Sequence, residues 1–164
     1  MWAHKYDRTA DFIVIEGPKA GGHLGFSENQ LSDINQLDFD NEITQIIDCK
    51  KEYEQKYNTK IPVIVAGGIF DKNDIAHAIA LGADGVQIAS RFVATVECDA
   101  SDAYKQAYIN ADEKDIQIIK SPVGMPGRAL RNKFIQKLDN ARVPISKCCL
   151  LYTSPSPRDI SGSR

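Results

Sequence analysis

Three short apolar runs, each closing on a turn of small residues, constrain this chain more than any other feature. Phe12-Ile13-Val14-Ile15, Pro62-Val63-Ile64-Val65-Ala66 and Gly85-Val86-Gln87-Ile88 are brief and rich in β-branched residues, as strands buried in a parallel sheet should be. Between the first two lies a polar loop, Ser27 to Asp40, then a helix expected from Glu42 to Tyr57. Ile43, Ile46, Ile47, Tyr53 and Tyr57 fall on one face of it. Between the second and third, Asp71 suits an N-cap, Asp74 the first turn and Gly82 the C′ position. Ile75, Ala78 and Ile79 supply the apolar stripe of that helix. Strands alternating with helices make βαβ units with right-handed crossovers. Two further helices are expected near Asp102 to Ala111 and Arg128 to Leu138. Three strands neither close a barrel nor complete an ordinary α/β sheet. A whole (β/α)8 barrel takes roughly 250 residues, so the 164 present read as a piece of a larger α/β domain.

Composition narrows the setting and says nothing about chemistry. Lys and Arg number 20 against 22 Asp and Glu, a net charge of -2, which argues against a chain built to hold nucleic acid or an anionic membrane. No apolar run approaches the roughly 20 residues of a membrane span, and Met1-Trp2-Ala3-His4-Lys5 is no signal peptide. The four cysteines, Cys49, Cys98, Cys148 and Cys149, have neither disulfide-framework nor zinc spacing. A cytoplasmic protein without a metal is therefore expected. Met1 to Thr9 reads as the polar end of a helix running into the first strand.

The last stretch departs from what precedes it. Cys149 to Asp159 has no usable period and leads into a tail rich in Ser and Gly through Arg164. Those eleven residues back-translate into a sequence that resembles a transposase adapter used in sequencing libraries. Two segments are therefore expected: residues 1–148 as the folded part, and 149–164 as an adapter-derived tail to be left out of fold reasoning.

Glycine turns carry the functional signal. Glu16-Gly17-Pro18-Lys19-Ala20-Gly21-Gly22-His23-Leu24-Gly25 follows the first strand, Ala66-Gly67-Gly68-Ile69 ends the second, and Gln87-Ile88-Ala89-Ser90-Arg91-Phe92 ends the third. Glycine at such a tip lets backbone approach a ligand at the carboxyl edge of the sheet, where α/β proteins place their sites. Gly67 and Gly68 bring no Cβ to hold off a phosphate, and Ser90 adds a hydroxyl donor. His23 stands where an imidazole can take or give a proton near neutral pH, or simply bond loop carbonyls. His4 and His77 sit on polar helical surface. Nothing matches the P-loop or the dinucleotide G-x-G-x-x-G fingerprint.

Taken in order, these three segments resemble the nitronate monooxygenase family, formerly the 2-nitropropane dioxygenases, which includes flavin-dependent enoyl-ACP reductases. Met125-Pro126-Gly127-Arg128-Ala129-Leu130-Arg131-Asn132-Lys133-Phe134 resembles the family's post-barrel segment, and the likeness runs from about Ala10 to Cys148. The resemblance implies the C-terminal part, about strands six to eight plus trailing helices, of a TIM (β/α)8 barrel that binds FMN. It implies a small-molecule substrate and O2 as partners, and NAD(P)H as reductant in the reductase alternative. By position, it places Glu16, Gly21 and Gly22 along the flavin, and Gly67 and Gly68 at its phosphate. Gln87, Ile88, Ala89 and Ser90 complete the phosphate cradle, and His23 is the active-site histidine. Ala89-Ser90 stands where the family usually has Gly-Thr, and Glu16 where relatives often have a neutral amide. Arg91 and Arg128 read as solvated surface arginines. Half a barrel has unpaired sheet edges, so residues 1–164 alone are expected to be inactive. A phosphate-binding barrel without redox chemistry is the reading from another class.

Overall fold

The computed structural model describes residues 5–121 and 124–140. Met1 to His4, the 148/149 boundary and the adapter-like tail lie outside the described residues. Contacts divide the chain into one unit ending at Arg131 and another beginning at Asn132.

In the first unit, β1 (Ile13–Glu16), β3 (Val63–Ala66) and β4 (Gly85–Gln87) form a parallel sheet in the order β1-β3-β4. Register runs Ile13 to Val63 and Glu16 to Ala66 on one side of β3, and Ile64 to Gly85 on the other. The three runs thus lie within a residue or two of their expected positions. The crossovers are α2 (Phe39–Tyr57) and α3 (Lys72–Ala80). Asp71 caps α3 by accepting from the backbone of Asn73 and Asp74, and Asp74 returns the bond to Asp71, a reciprocal box that stops the first turn from fraying. Gly82 follows at φ +101, the left-handed stop expected of it.

Ile15, Val63 and Val65 pack against Ile43, Ile47, Ala78 and Ala83 in the main core. Only one face of the sheet is covered in this way. Val14 is 42% exposed, so the expectation of strands buried on both faces holds for the helix-covered side alone.

Two differences from the sequence reading have clear causes. The polar stretch after the first turn holds α1 (Glu28–Ser32), closed by a capping box between Ser27 and Gln30, and a 3-10 turn over Ile34–Gln36. Leu31 buries there against Ala20 and Leu24. Asp38 then caps α2 three residues ahead of its expected start. The helix expected over 128–138 is instead a strand followed by a later helix. β6 (Pro126–Leu130) lies between β2 (Gly22–His23) and β5 (Ile116–Lys120) in an antiparallel sheet. Pairing on both sides overrides the helical propensity of Arg128-Ala129-Leu130. α4 (Ser90–Val93) and α5 (Asp102–Ile109) complete the first unit. In the second unit, α6 (Lys133–Asn140) begins at Asn132, whose side chain accepts from the backbone of Phe134 and Ile135. No described helix is long and apolar enough to cross a membrane.

At the amino end of the sheet, a buried lysine ties two crossovers together. Lys50, on the same helical stripe as Ile43 and Ile47, is 8% exposed and donates to the carbonyl of Ile61 at 2.8 Å and to Asp84 Oδ2 at 3.2 Å. Asp84 also accepts from the backbone of Val63 and pairs with Lys60. The Lys60 contact, then the Val63 N–H, hold the Asp84 carboxyl well below the usual carboxylate range. A depressed acid stabilises the fold while ionised, and that contribution is lost as pH falls through the folded-state value. Unfolding free energy should therefore decline below about pH 5. Asp84→Ala should lower it by about 2 kcal/mol at neutral pH, because Lys50 loses the nearer of its two carboxylates and the Val63 N–H loses its acceptor, and should flatten the acid decline. Denaturant titrations of the two proteins across pH check both expectations.

Candidate functional site

The carboxyl ends of β1, β3 and β4 open into a cleft of about 510 Å³. Each strand delivers one wall. β1 leaves Glu16 at the rim and continues into the Gly21-Gly22 loop, β3 delivers Gly67 and Gly68, and β4 delivers Gln87, with Ala89 and Ser90 following. Of the nine residues expected along a cofactor, Ile88 alone does not line the cleft. It lies one residue beyond the end of β4.

The glycines do two different things. Gly67 and Gly68 have φ +85 and +93, a region that side-chain-bearing residues rarely adopt. A Cβ on Gly67 would stand 2.9 Å from both the N and O of Gly17, so the β3 turn is pressed against the β1 turn. At Gly21 and Gly22, by contrast, a Cβ would meet nothing within 4 Å. Both border the cleft, so this backbone is bare toward a ligand.

Charge in the cleft is unbalanced. Lys19, Arg91 and Arg128 border it against the single carboxylate of Glu16. Arg91 is exposed as expected. It donates to the carbonyl of Phe70 at 2.6 Å and stacks its guanidinium 4.8 Å from that ring. Arg128 departs from the surface reading. It is half-buried and donates through Nη1 to the carbonyls of Pro18 and Ala20, the latter at 2.7 Å. Desolvation alone lowers its pKa. Opposite, Tyr108 closes the apolar wall with Ile116 and Leu130. A bond to Tyr104, then burial, push its phenol up to about 12, so it remains a neutral donor.

His23 is not part of this cleft. It is exposed on β2, next to Gly22 and on the alternate face, with Nε2 2.7 Å from Ser121 Oγ. That single bond orients the ring across 98 residues of sequence. His77 is exposed and paired with Asp40 at 2.8 Å, which joins α3 to the start of α2.

Sequence reasoning missed Tyr108 and Ser121, gave Lys19 no place beside a ligand, and preferred a solvated surface for Arg128 over attraction of an anionic substrate. No local signal placed Arg128 in a strand, since Pro126–Leu130 shows no period-2 pattern of apolar residues. For Tyr108 there was none either, because its place depends on how α5 folds back over the sheet tips.

Glycine-lined strand tips around a cationic cleft define an α/β protein with room for a ligand at the carboxyl edge of its parallel strands. Comparison with known proteins agrees. The family model described as Nitronate monooxygenase matches residues 3–154, and the chain belongs to the nitronate monooxygenase family. It is 35% identical over 131 residues to the "Probable nitronate monooxygenase" of Staphylococcus aureus strain Newman, covering 78% of this chain and 34% of that protein. The protein of the same name from strain JH9 is 34% identical over 131 residues, with the same coverage. The chain thus spans about a third of the length of the curated relatives it matches. Among solved structures, it is similar to FabK from Thermotoga maritima, with TM-score 0.59 and 33% identity, covering 84% of this chain and 39% of that one.

Proposed function

We propose that this sequence supplies strands six to eight of an FMN-dependent nitronate monooxygenase barrel, and with them the phosphate end of the flavin site. One observation carries the reading. Glycine backbone, the Ser90 hydroxyl and three cations converge on a cleft with a single carboxylate, a combination that suits a phosphate-bearing ligand. The open face and open edges of β1-β3-β4 fit a sheet that closes against further strands, as the partial coverage of relatives implies.

In this reading, Gly67 and Gly68 let the backbone reach the phosphate, Ser90 donates to it, and Gln87, Ile88 and Ala89 continue the cradle, Ile88 through its backbone. Glu16, Gly21 and Gly22 run beside the rest of the cofactor, where bare glycine leaves room for a flat ring. Bound FMN would supply an acceptor for electrons from the substrate and a route for them to O2. The net reaction converts two alkyl nitronates and one O2 into two carbonyl compounds and two nitrite ions, one oxygen atom going to each carbonyl. His23 polarises the nitro group or, for a neutral nitroalkane, removes the proton from carbon. Ser121 holds the ring for that task.

The likeness to FabK supports keeping the NAD(P)H-dependent reductase reading beside this one. Anaerobic mixing of the flavin-loaded full-length polypeptide separates them. Fast bleaching of the flavin by nitronate is expected, with little effect of NADPH. Fast bleaching by NADPH alone would favour the reductase, and a colourless protein would favour a phosphate-binding barrel without redox chemistry.

A further inference from the structure

Three cations border the cleft, and they are not equivalent. Lys19 and Arg91 are exposed. Lys19 faces the Asp74 carboxylate, and Arg91 is spent on the carbonyl and ring of Phe70. Arg128 is the half-buried one, and among the described residues no carboxylate lies within ion-pair distance of it. Its two bonds go to neutral carbonyls through one nitrogen, Nη1. Desolvating a guanidinium without a counter-charge is costly, and a cleft that retains one has a place for an anion.

The same side chain governs the shape of the glycine loop. Several ties hold Gly17 to Leu24 in place. Gly17 N–H donates to Ala66 O, Leu24 N–H donates to Pro126 O, Gly22 pairs with Arg128 across the β2-β6 ladder, His23 bonds Ser121, and the guanidinium clamps Pro18 and Ala20. Of the two side-chain ties, the clamp is the one that acts on the residues directly before Gly21-Gly22.

We propose that Arg128 is a cofactor-site residue with two roles: it clamps the Pro18–Ala20 turn that presents the Gly21-Gly22 backbone, and its unpaired charge selects for the phosphorylated form of the flavin. This rests on the FMN reading above and adds a specific agent of selection to it. Lysine at this position keeps the charge but ends one bond short of where Nη1 stands, so it holds the two carbonyls poorly, whereas methionine keeps the bulk and loses both functions.

The test uses the full-length polypeptide that carries this sequence, titrated with FMN and with riboflavin and followed by flavin fluorescence. Wild type should bind FMN more tightly than riboflavin, and added salt should weaken FMN binding alone. Arg128→Met should weaken FMN binding about ten- to a hundredfold, the range for losing a charge-assisted contact, while riboflavin falls by less. Arg128→Lys should weaken both flavins together and leave their ratio near the wild-type value. An unchanged FMN-to-riboflavin ratio in Arg128→Met overturns the proposal. Should that variant fail to fold, a wild-type FMN affinity indifferent to salt overturns it equally. A wild-type protein that binds neither flavin defeats the FMN reading itself, an outcome distinct from either of these.

Discussion

Gly67→Ala is expected to abolish FMN binding and to destabilise the protein by about 2 kcal/mol or more. Two independent costs meet at this position. The backbone sits at φ +85, where an L side chain is strained. The new methyl would also stand 2.9 Å from two backbone atoms of Gly17, neither of which can swing aside as a side-chain end could. Relief requires the β1 and β3 turns to separate, and those turns are opposite walls of the cleft. Gly25→Ala is the matched control, since a Cβ there meets nothing within 4 Å and its φ is not positive. Thermal melting and a fluorescence titration with FMN read the two effects. A Gly67→Ala protein with wild-type flavin affinity would show that the turn is not part of a ligand cradle.

His23→Ala is expected to behave in the opposite way, with flavin retained and chemistry lost. The imidazole does not border the cleft, so removing it should leave FMN affinity within about twofold, as for a surface substitution. Turnover of a neutral nitroalkane should fall by roughly 10²- to 10⁴-fold, the usual contribution of a positioned general base. A preformed nitronate has already lost its proton, so its turnover should fall far less. Steady-state assays with each form, at matched pH and oxygen, make the comparison. Equal losses for both forms would show that His23 is a binding contact and not the base.

The parallel sheet and its crossovers were legible in the sequence because they rest on local signals. The β-branched runs 13–15 and 63–65, the Asp71 and Asp74 box, and Gly82 each advertise an element within a few residues of itself. Glycine turns were legible for the same reason, since a strand that ends on Gly-Gly announces a tip with room for a ligand. Eight of the nine expected lining residues accordingly gather in one cleft. Ile88, one residue beyond the end of β4, is the one that does not.

Long-range pairing was not legible. Ile116–Lys120 and Pro126–Leu130 are strands because each finds an antiparallel partner. Taken in isolation, Pro126–Leu130 has the composition of a helix start. Lys50 is held in the interior by the carbonyl of Ile61 and the carboxylate of Asp84, partners that no local pattern announces. The sequence alone determined the class of fold, the family and the strand tips that line the cleft, because periodicity and turn chemistry are written within a few residues. Only the tertiary structure decided that Arg128 clamps the glycine loop and that His23 leans on Ser121. Those contacts join residues about a hundred positions apart, and no local pattern encodes which distant group will fill a desolvated space.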